Sequence, residues 1–159
     1  MAREIERKFL LDANLWAPEP GSGVRIRQGY LSLDPDRIVR VRRAGPAGAL
    51  TVKGRLSDRE RLEFEYPIPA ADADALLDRL CRRPLIEKTR YHVPWRGAMW
   101  DVDVFDGENA GLAVAEIELE SAGAPVALPP WVGLEVTDDP RYLNVSLIQR
   151  PFSRWSHDD

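Results

Sequence analysis

The stretch R-E-I-E-R-K-F-L-L-D at residues 3–12 has the alternation of a β-strand. Successive side chains of an extended chain point to opposite faces, so Glu4, Glu6 and Lys8 share one face and mostly apolar side chains occupy the other. A single strand of this kind is typical of a half-buried sheet whose charges point to water. The same charged alternation returns in six further segments, too often for seven unrelated solvent-exposed faces.

These segments predict a largely antiparallel β protein, because short turns rich in Gly, Pro and Asp separate most of them. Residues 24–33 form a further strand, in which Gly29 could be a bulge, and this leaves the facing of Gln28 and Tyr30 open. The six segments with the charged alternation are 37–43, 49–54, 61–68, 85–93, 99–105 and 113–120.

Two helices are predicted from the spacing of apolar residues. The longer one covers residues 70–83, with Asp72 as its N-cap, and a short one covers residues 143–149. The single cysteine, Cys81, falls in the longer helix, where a packed thiol is expected. With one cysteine, the chain cannot form an internal disulfide.

Length and composition predict one domain over residues 1–159, with a core at about 2–150 and a frayed tail from Trp155. No apolar run is long enough to cross a bilayer, and the N-terminus lacks the apolar region of a signal peptide, so we expect a cytoplasmic protein. The net charge of −4 argues against a general nucleic-acid binder. We therefore expect neither nucleic acid nor a membrane as a partner.

The positions that alternate with apolar residues are almost all fully charged, whereas a solvent-exposed face usually includes Ser, Thr, Asn and Gln. The sequence leaves two geometries open: the charges lie in water around an apolar interior, or they line a wet tunnel and the apolar side faces outward. The acids are Glu4, Glu6, Glu63, Glu65, Asp101, Asp103, Glu116, Glu118 and Glu120, and the bases are Lys8, Arg40, Arg42, Lys53, Arg61, Lys88 and Arg90.

The chemistry of the tunnel geometry follows from these residue types. Paired carboxylates are hard oxygen ligands, which suit Mg²⁺ or Mn²⁺ better than zinc. Lysine and arginine complement a string of phosphates. A triphosphate chelated to divalent metal satisfies both groups, and attack of a metal-activated water on its terminal phosphorus is a consistent mechanism. The chain has no P-loop, and its two histidines, His92 and His157, are isolated in the sequence.

The E-x-E-x-K run at residues 4–8 resembles the signature of the CYTH superfamily, also called triphosphate tunnel metalloenzymes. One such motif is weak, but an ordered series along nearly the whole chain is specific. The series continues with Q-G-Y-L at 28–31, R-V-R at 40–42, T-V-K at 51–53, R-x-E-x-E at 61–65, E-K-T-R-Y at 87–91, D-V-D-V-F at 101–105, E-I-E at 116–118 and V-T at 136–137, followed by Tyr142 and Asn144.

The resemblance implies an α+β fold: a closed eight-stranded antiparallel barrel, with triphosphate along its axis and helices packed on the outside. It also implies the site residues. The metal ligands are Glu4, Glu6, Asp103, Glu116 and Glu118, with Glu63 and Glu65 either binding metal or balancing the basic wall. The phosphate binders are Lys8, Arg40, Arg42, Lys53, Lys88 and Arg90, and Tyr30 is a further substrate-binding residue. The residues directly involved in catalysis are Glu4, Glu6, Lys8, Lys53, Glu116 and Glu118. Arg61 is as consistent with a supporting salt bridge as with phosphate binding, and Glu120 is expected to face the tunnel exit or solvent.

The family includes enzymes with several activities, and small single-domain bacterial members are the most similar. The resemblance therefore implies a metal-dependent triphosphatase with Mg²⁺ or Mn²⁺, most simply converting inorganic tripolyphosphate to pyrophosphate and phosphate. The alternatives are an adenylate cyclase, a nucleoside or thiamine triphosphatase, or a module that binds polyphosphate without turnover. A homodimer is also compatible with the sequence.

Overall fold

The computed structural model describes residues 5–12, 14–18, 22–56, 61–121 and 123–155. Within these ranges, nine strands form one sheet in which every pair of neighbours is antiparallel. The strands are β1 (Glu6–Leu11), β2 (Val24–Ser32), β3 (Ile38–Ala44), β4 (Ala47–Arg55), β5 (Arg61–Ile68), β6 (Ile86–Trp95), β7 (Ala98–Phe105), β8 (Ala113–Glu118) and β9 (Val132–Glu135). The helices are α1 (Ala70–Arg79) and α2 (Asn144–Gln149), with short 3₁₀ turns at Gly107–Asn109, Pro140–Tyr142 and Phe152–Arg154.

The sheet order is β5-β4-β3-β2-β6-β7-β8-β1-β9, so β5 and β9 are its two edges. The first four strands after β1 follow one another as a meander, and β1 is inserted between β8 and β9 near the opposite edge. The predicted antiparallel sheet with two helices is confirmed. The predicted closure into an eight-stranded barrel is not: the described strands number nine, and β5 and β9 are not hydrogen-bonded to each other.

The strand register places the predicted charged positions on one face, because directly paired residues point to the same side of a sheet. Lys8 pairs with Glu116, and Arg90 pairs with Asp103. We call this side the charged face. It carries Glu6, Lys8, Arg40, Arg42, Lys53, Glu63, Glu65, Lys88, Arg90, Asp101, Asp103, Glu116 and Glu118.

The opposite side, which we call the apolar face, is covered in two places. Around β1, β7 and β8, a cluster of aromatic and aliphatic residues is built on Phe9 and Trp100, with Trp131 packed edge-on against Trp100 at 5.8 Å. Around β3, the fully buried Val41 packs against Ala73 and Leu77 of α1. Burial of large side chains on this face stabilises the sheet.

Helix α1 forms where its apolar stripe predicts it, but its ends differ from the expectation. It begins after Pro69, and Asp72 lies in its first turn instead of capping it. It ends at Arg79, so Cys81 lies beyond the helix, buried against the apolar face. Pro84 disfavours helical backbone in the residue before it, which is consistent with an end ahead of the predicted residue 83.

Gly29 is not a bulge: it pairs regularly with Val41, and the irregularity in β2 lies between Tyr30 and Ser32. A Cβ at Gly29 would lie 2.8 Å from both Cys81 Cβ and Leu85 Cδ2. Glycine is therefore required here by the close approach of the segment after α1.

We expect Gly29→Ala to lower the free energy of unfolding by about 1–3 kcal/mol, because overpacking forces the neighbours to shift. Thermal unfolding should show a decrease in Tm of roughly 3–10 °C. Gly123→Ala is the control, since nothing lies within 4 Å of a Cβ at that position. Equal Tm values for the two variants would show that the segment moves away without cost.

The short helix at the C-terminal end packs on the charged face, whereas both helices were predicted outside the barrel. Phe105 pairs with Lys88, and Val114 lies two residues before Glu116, so both point to the charged side. Leu147 and Ile148 of α2 are buried against them. The full cluster contains Tyr30, Ile38, Ile86, Phe105, Leu112, Val114, Leu147 and Ile148. One end of the charged face is thus apolar and covered by α2.

Trp155 was expected to fray with the tail, but it packs edge-on against Tyr142 and Phe152 at 5.1 and 5.0 Å. Residues 156–159 lie outside the described ranges, so the expectation for them stays a prediction. None of the described helices is both long and apolar enough to span a membrane.

Candidate active site

The uncovered part of the charged face has a basic centre and acidic flanks. Cations from β3, β4 and β6 occupy the centre, and Lys8 is contributed by β1. Carboxylates lie on β5 at one edge and on β7, β8 and β1 toward the other. This segregation follows from the strand order, since each strand presents charges of mostly one sign to this face.

Asp103 is the most deeply buried carboxylate of the face, and both its oxygens contact cations. Its Oδ2 lies 2.9 Å from Lys88 Nζ, and Arg90 donates from Nε and Nη2 to Oδ1 and Oδ2 at 2.7 and 2.9 Å. Asp103 and Lys88 are both 0% exposed. Although burial disfavours the carboxylate, the two cations outweigh it and hold the pKa of Asp103 well below its usual value.

The same cluster leaves an excess of positive charge. Burial, together with the nearby charges of Arg90 and Arg42, lowers the pKa of Lys88 to about 8 in spite of Asp103. Burial also acts against the charge of Arg90, but its hydrogen bond and proximity to Asp103 raise the pKa of that guanidinium. Asp103 contacts two of these three cations, Lys88 and Arg90, and Arg42 adds a third positive charge nearby. An anion entering the site would relieve the remaining repulsion.

Arg42 is held by a neutral side chain. Its Nε donates to Gln28 Oε1 at 2.8 Å, and Gln28 Nε2 donates to the Tyr30 hydroxyl at 2.8 Å. Gln28 and Tyr30 both point to the charged face, which resolves the facing that the sequence left open. Burial and the charges of Arg40 and Arg90 lower the pKa of Arg42 to about 10.

At the β5 edge, cations and carboxylates pair across neighbouring strands. Arg40 donates from Nη2 to Thr51 Oγ1 at 3.1 Å and lies 3.5 Å from Glu65 Oε1. Thr51 also donates to Glu65 at 3.0 Å. Lys53 Nζ lies 3.8 Å from Glu63 Oε1. Glu63 and Glu65 therefore contact the basic wall in this arrangement, while Arg61 and Glu120 are exposed.

Lys8 is nearly buried and connects β1 to the C-terminal segment. Its ammonium lies 3.4 Å from Glu116 Oε1 and donates to the carbonyl of Tyr142 at 3.1 Å. Its backbone N–H donates to Thr137 Oγ1 at 3.0 Å. The segment that carries α2 thereby orients a cation of the charged face, although 134 residues separate Lys8 from Tyr142.

The carboxylates of β1 and β8 are the candidates best placed to hold a metal ion. Glu6 lies directly opposite Glu118, an arrangement of like charges that is unfavourable without a cation. Glu116 lies two residues before Glu118 on the same face, and all these donors are hard carboxylate oxygens. In the described part of the chain, no three such residues converge closely enough to hold an ion without movement. Glu4 lies outside the described residues, so its role stays a prediction.

Several contacts of the site were not predicted from the sequence. Thr51 and the Tyr142 carbonyl accept hydrogen bonds from Arg40 and from the Lys8 ammonium, and Thr137 accepts one from the backbone N–H of Lys8. His92, considered isolated, has its Nδ1 2.6 Å from Asp101 Oδ1 on the paired strand. The T-V-K and V-T motifs contain Thr51 and Thr137. The hydrogen-bond partner of each threonine depends on which strands are neighbours, and the sequence alone does not specify this.

Comparison with known proteins gives close relatives along nearly the whole chain. An inorganic triphosphatase of Acetivibrio thermocellus is 46% identical over 155 residues, covering 98% of this chain and 99% of that protein. An inorganic triphosphatase of Nitrosomonas europaea is 39% identical, covering 91% and 95%.

Solved structures agree with this result. The crystal structure of an inorganic triphosphatase is 34% identical, with a TM-score of 0.67, and the match covers 93% of this chain and 95% of that one. A putative adenylate cyclase from Bacillus halodurans has a TM-score of 0.59 at 14% identity, covering 75% of this chain and 81% of that one, and shares the fold alone. The CYTH domain model matches residues 2–152. Together with the series of charged strands, this match shows that the chain belongs to the CYTH domain family.

Proposed function

We propose that this protein is a divalent-metal-dependent hydrolase of inorganic triphosphate, which it cleaves to pyrophosphate and phosphate. The observation that carries the proposal is the concentration of cations on one face, between acidic flanks. The relatives named inorganic triphosphatase, with their coverage of nearly the whole chain, support the same substrate. The cations are Lys8, Arg40, Arg42, Lys53, Lys88 and Arg90.

The basic centre is suited to hold a chain of phosphates. Guanidinium groups bind phosphate oxygens through two parallel hydrogen bonds, and ammonium groups act as compact charges. Because burial and neighbouring cations lower the pKa of Lys88, the arrival of an anion would stabilise its charged form. The polyanion and the basic wall therefore stabilise each other.

We also propose that the sheet closes into a tunnel around the substrate. Carboxylates flank the basic centre on both sides, with Glu63 and Glu65 on the β5 edge strand and Glu6, Glu116 and Glu118 on β1 and β8. Curling the sheet would bring these two groups of acids toward each other, which is unfavourable unless cations lie between them. Metal bound to the triphosphate would thus favour the closed form.

The carboxylates fit a hard divalent cation, and we propose Mg²⁺ or Mn²⁺. Glu6, Glu116 and Glu118 would hold it, together with Glu4 as the resemblance implies, and Glu63, Glu65 and Asp103 are further candidates. When bound, such a cation supplies charge neutralisation of the phosphate oxygens and lowers the pKa of a coordinated water. The lysine and arginine side chains of the basic centre orient the phosphate chain for in-line attack. Lys8, which contacts Glu116, would also contact the phosphates and so balance negative charge on both sides.

The test is phosphate release from tripolyphosphate, ATP and thiamine triphosphate at matched concentration, with Mg²⁺, Mn²⁺ or EDTA. We expect metal-dependent release that is fastest with tripolyphosphate and is abolished by EDTA. Faster release from ATP or from thiamine triphosphate would identify that compound, and not inorganic triphosphate, as the substrate. Absence of release from all of them, with cyclic AMP formed from ATP, would establish a cyclase; absence of both would leave a binding module.

Replacing Lys8 by alanine is expected to raise KM for tripolyphosphate by about 10-fold or more, because one charge-assisted phosphate contact is lost. Arg7→Ala is the matched control: Arg7 is the preceding residue, points to the apolar face and pairs with Glu135. Steady-state kinetics should give an unchanged KM for the control. An unchanged KM and kcat for Lys8→Ala would refute a role for this ammonium in substrate binding.

A further inference from the structure

The side chain of Gln28 is fully buried at the centre of the charged face, and both ends of its amide are hydrogen-bonded. Its oxygen accepts from Arg42, and its nitrogen donates to the hydroxyl of Tyr30. The Tyr30 ring is 4% exposed and packs in the apolar cluster under α2. A hydrogen-bonded chain thus runs from the core of the protein to a cation of the site.

Arg42 differs from the other cations of the charged face in the charge of its partner. Within the described residues, no carboxylate lies in salt-bridge distance of Arg42, and Gln28 is the side chain that accepts from it. The other cations contact carboxylates: Lys8 contacts Glu116, Arg40 contacts Glu65, Lys53 contacts Glu63, and Lys88 and Arg90 contact Asp103.

The hydrogen bond to Gln28 uses Nε of Arg42, so Nη1 and Nη2 are left for a phosphate. Without an acceptor, the partly buried guanidinium of Arg42 would be less firmly oriented and its Nε donor would be unsatisfied, and both effects weaken binding. A neutral acceptor orients the guanidinium without cancelling its charge. A glutamate of the same shape would form a salt bridge and remove the charge that the polyanion needs.

We propose that Gln28, held in place by Tyr30, is a positioning residue that aims Arg42 at the triphosphate while leaving its charge uncompensated. This inference rests on the proposed function, and it assigns Tyr30 a supporting role in place of direct contact with substrate. The ring packing of Tyr30 fixes its hydroxyl, the hydroxyl fixes the amide of Gln28, and the amide oxygen fixes Arg42.

The experiment is a double-mutant cycle on KM for tripolyphosphate in Mg²⁺. We expect Gln28→Met, which keeps the length and removes both hydrogen bonds, to raise KM by about 10-fold while kcat changes by less than about 3-fold. In an Arg42→Ala background, the same substitution should change KM by less than about 2-fold, because the residue that it positions is absent.

Two further variants keep the test informative if Gln28→Met folds poorly. Tyr30→Phe retains the ring and removes only the hydroxyl, and it should raise KM by about 3-fold, a smaller effect than loss of Gln28 itself. Gln28→Glu should raise KM by about 10-fold or more without lowering Tm, since the new carboxylate pairs with Arg42.

The inference is overturned if Gln28→Met raises KM equally with and without Arg42, or if none of the three variants changes KM. Calorimetric titration with tripolyphosphate in Mg²⁺-free buffer repeats the comparison without turnover. A wild-type protein that binds tripolyphosphate but does not hydrolyse it would overturn the proposed function alone, and the variants would then be compared by Kd. A wild-type protein that does not bind tripolyphosphate would overturn both.

Discussion

Replacing Glu116 by glutamine is expected to reduce kcat for tripolyphosphate by at least about 100-fold, because an electrostatic group of the reaction centre is lost. Glutamine retains the shape but binds a divalent cation far less well than a carboxylate. The substitution loses the ion pair between Glu116 and Lys8, but it also removes repulsion from Asp101, which is paired with Glu116, and from Glu118, two residues away. Because these effects oppose each other and Lys8 keeps its hydrogen bond to the Tyr142 carbonyl, the fold should be retained. We expect a Tm within about 3 °C of the wild-type value.

The measurement is kcat as a function of Mg²⁺ concentration, together with thermal unfolding. Glu6→Gln, directly opposite Glu118, should behave similarly. Glu108→Gln is the control, because Glu108 is exposed, lies beyond the opposite end of β7 and β8, and contacts Ser153. Full activity of Glu116→Gln, with an unchanged metal requirement, would show that the metal lies elsewhere.

Replacing Asp103 by asparagine should produce the largest loss of stability in the charged face. Removing one partner of a buried ion pair costs about 3–5 kcal/mol, because the remaining charges are left uncompensated. Here two cations, Lys88 and Arg90, would be affected. The expected decrease in Tm is roughly 10 °C. Asp101→Asn, on the same strand and face but partly exposed, should cost less than about 1 kcal/mol.

The pH dependence gives a second measure of the same interaction. The pKa of Asp103 is lower in the folded protein than in the unfolded chain, so its stabilising contribution is present above the unfolded pKa of about 4 and is lost as pH falls below it. The difference in unfolding free energy between wild type and Asp103→Asn should therefore shrink as pH falls from about 5 toward 2. A difference that stays constant over this range would exclude ionisation of Asp103 as its source.

Asp103→Asn also separates two roles of this residue. The resemblance predicts a metal ligand, whereas the contacts with Lys88 and Arg90 favour a support for the phosphate-binding cations. Loss of a ligand would raise the Mg²⁺ concentration needed for half-maximal activity. Loss of a support would raise KM for tripolyphosphate and leave the Mg²⁺ dependence unchanged.

Much of the charged face could be predicted because it depends on a local rule. Side chains alternate along a strand whatever the strand packs against, so E-x-E-x-K, R-V-R and E-I-E each place their charges on one side. The apolar spacing of α1 was equally local. The facing of Gln28 and Tyr30 could not be read with the same certainty, because a single bulge at Gly29 would have reversed it. The requirement for glycine there comes from Cys81 and Leu85, which pack over it.

The position of α2 is the clearest feature that the sequence did not predict. Its short apolar pattern is compatible with either side of the sheet, and its location depends on the apolar ends of several strands. Phe105 and Val114 continue the charged face but are apolar, and they form a surface only when β6, β7 and β8 are in register. This apolar surface therefore exists only when strands that are far apart in the sequence pair with each other.

The sequence by itself determined which residues share a face, which sign of charge each strand presents, and hence that a polyanion and hard cations suit this protein. The physical reason is that the two-residue period of an extended chain is independent of its surroundings. The tertiary structure alone decided the partners. In the folded protein, Asp103 contacts Lys88 and Arg90. Arg42 donates to the neutral Gln28, and Lys8 donates to the Tyr142 carbonyl. Those contacts depend on strand register and on packing between residues far apart in the chain, which no local pattern specifies.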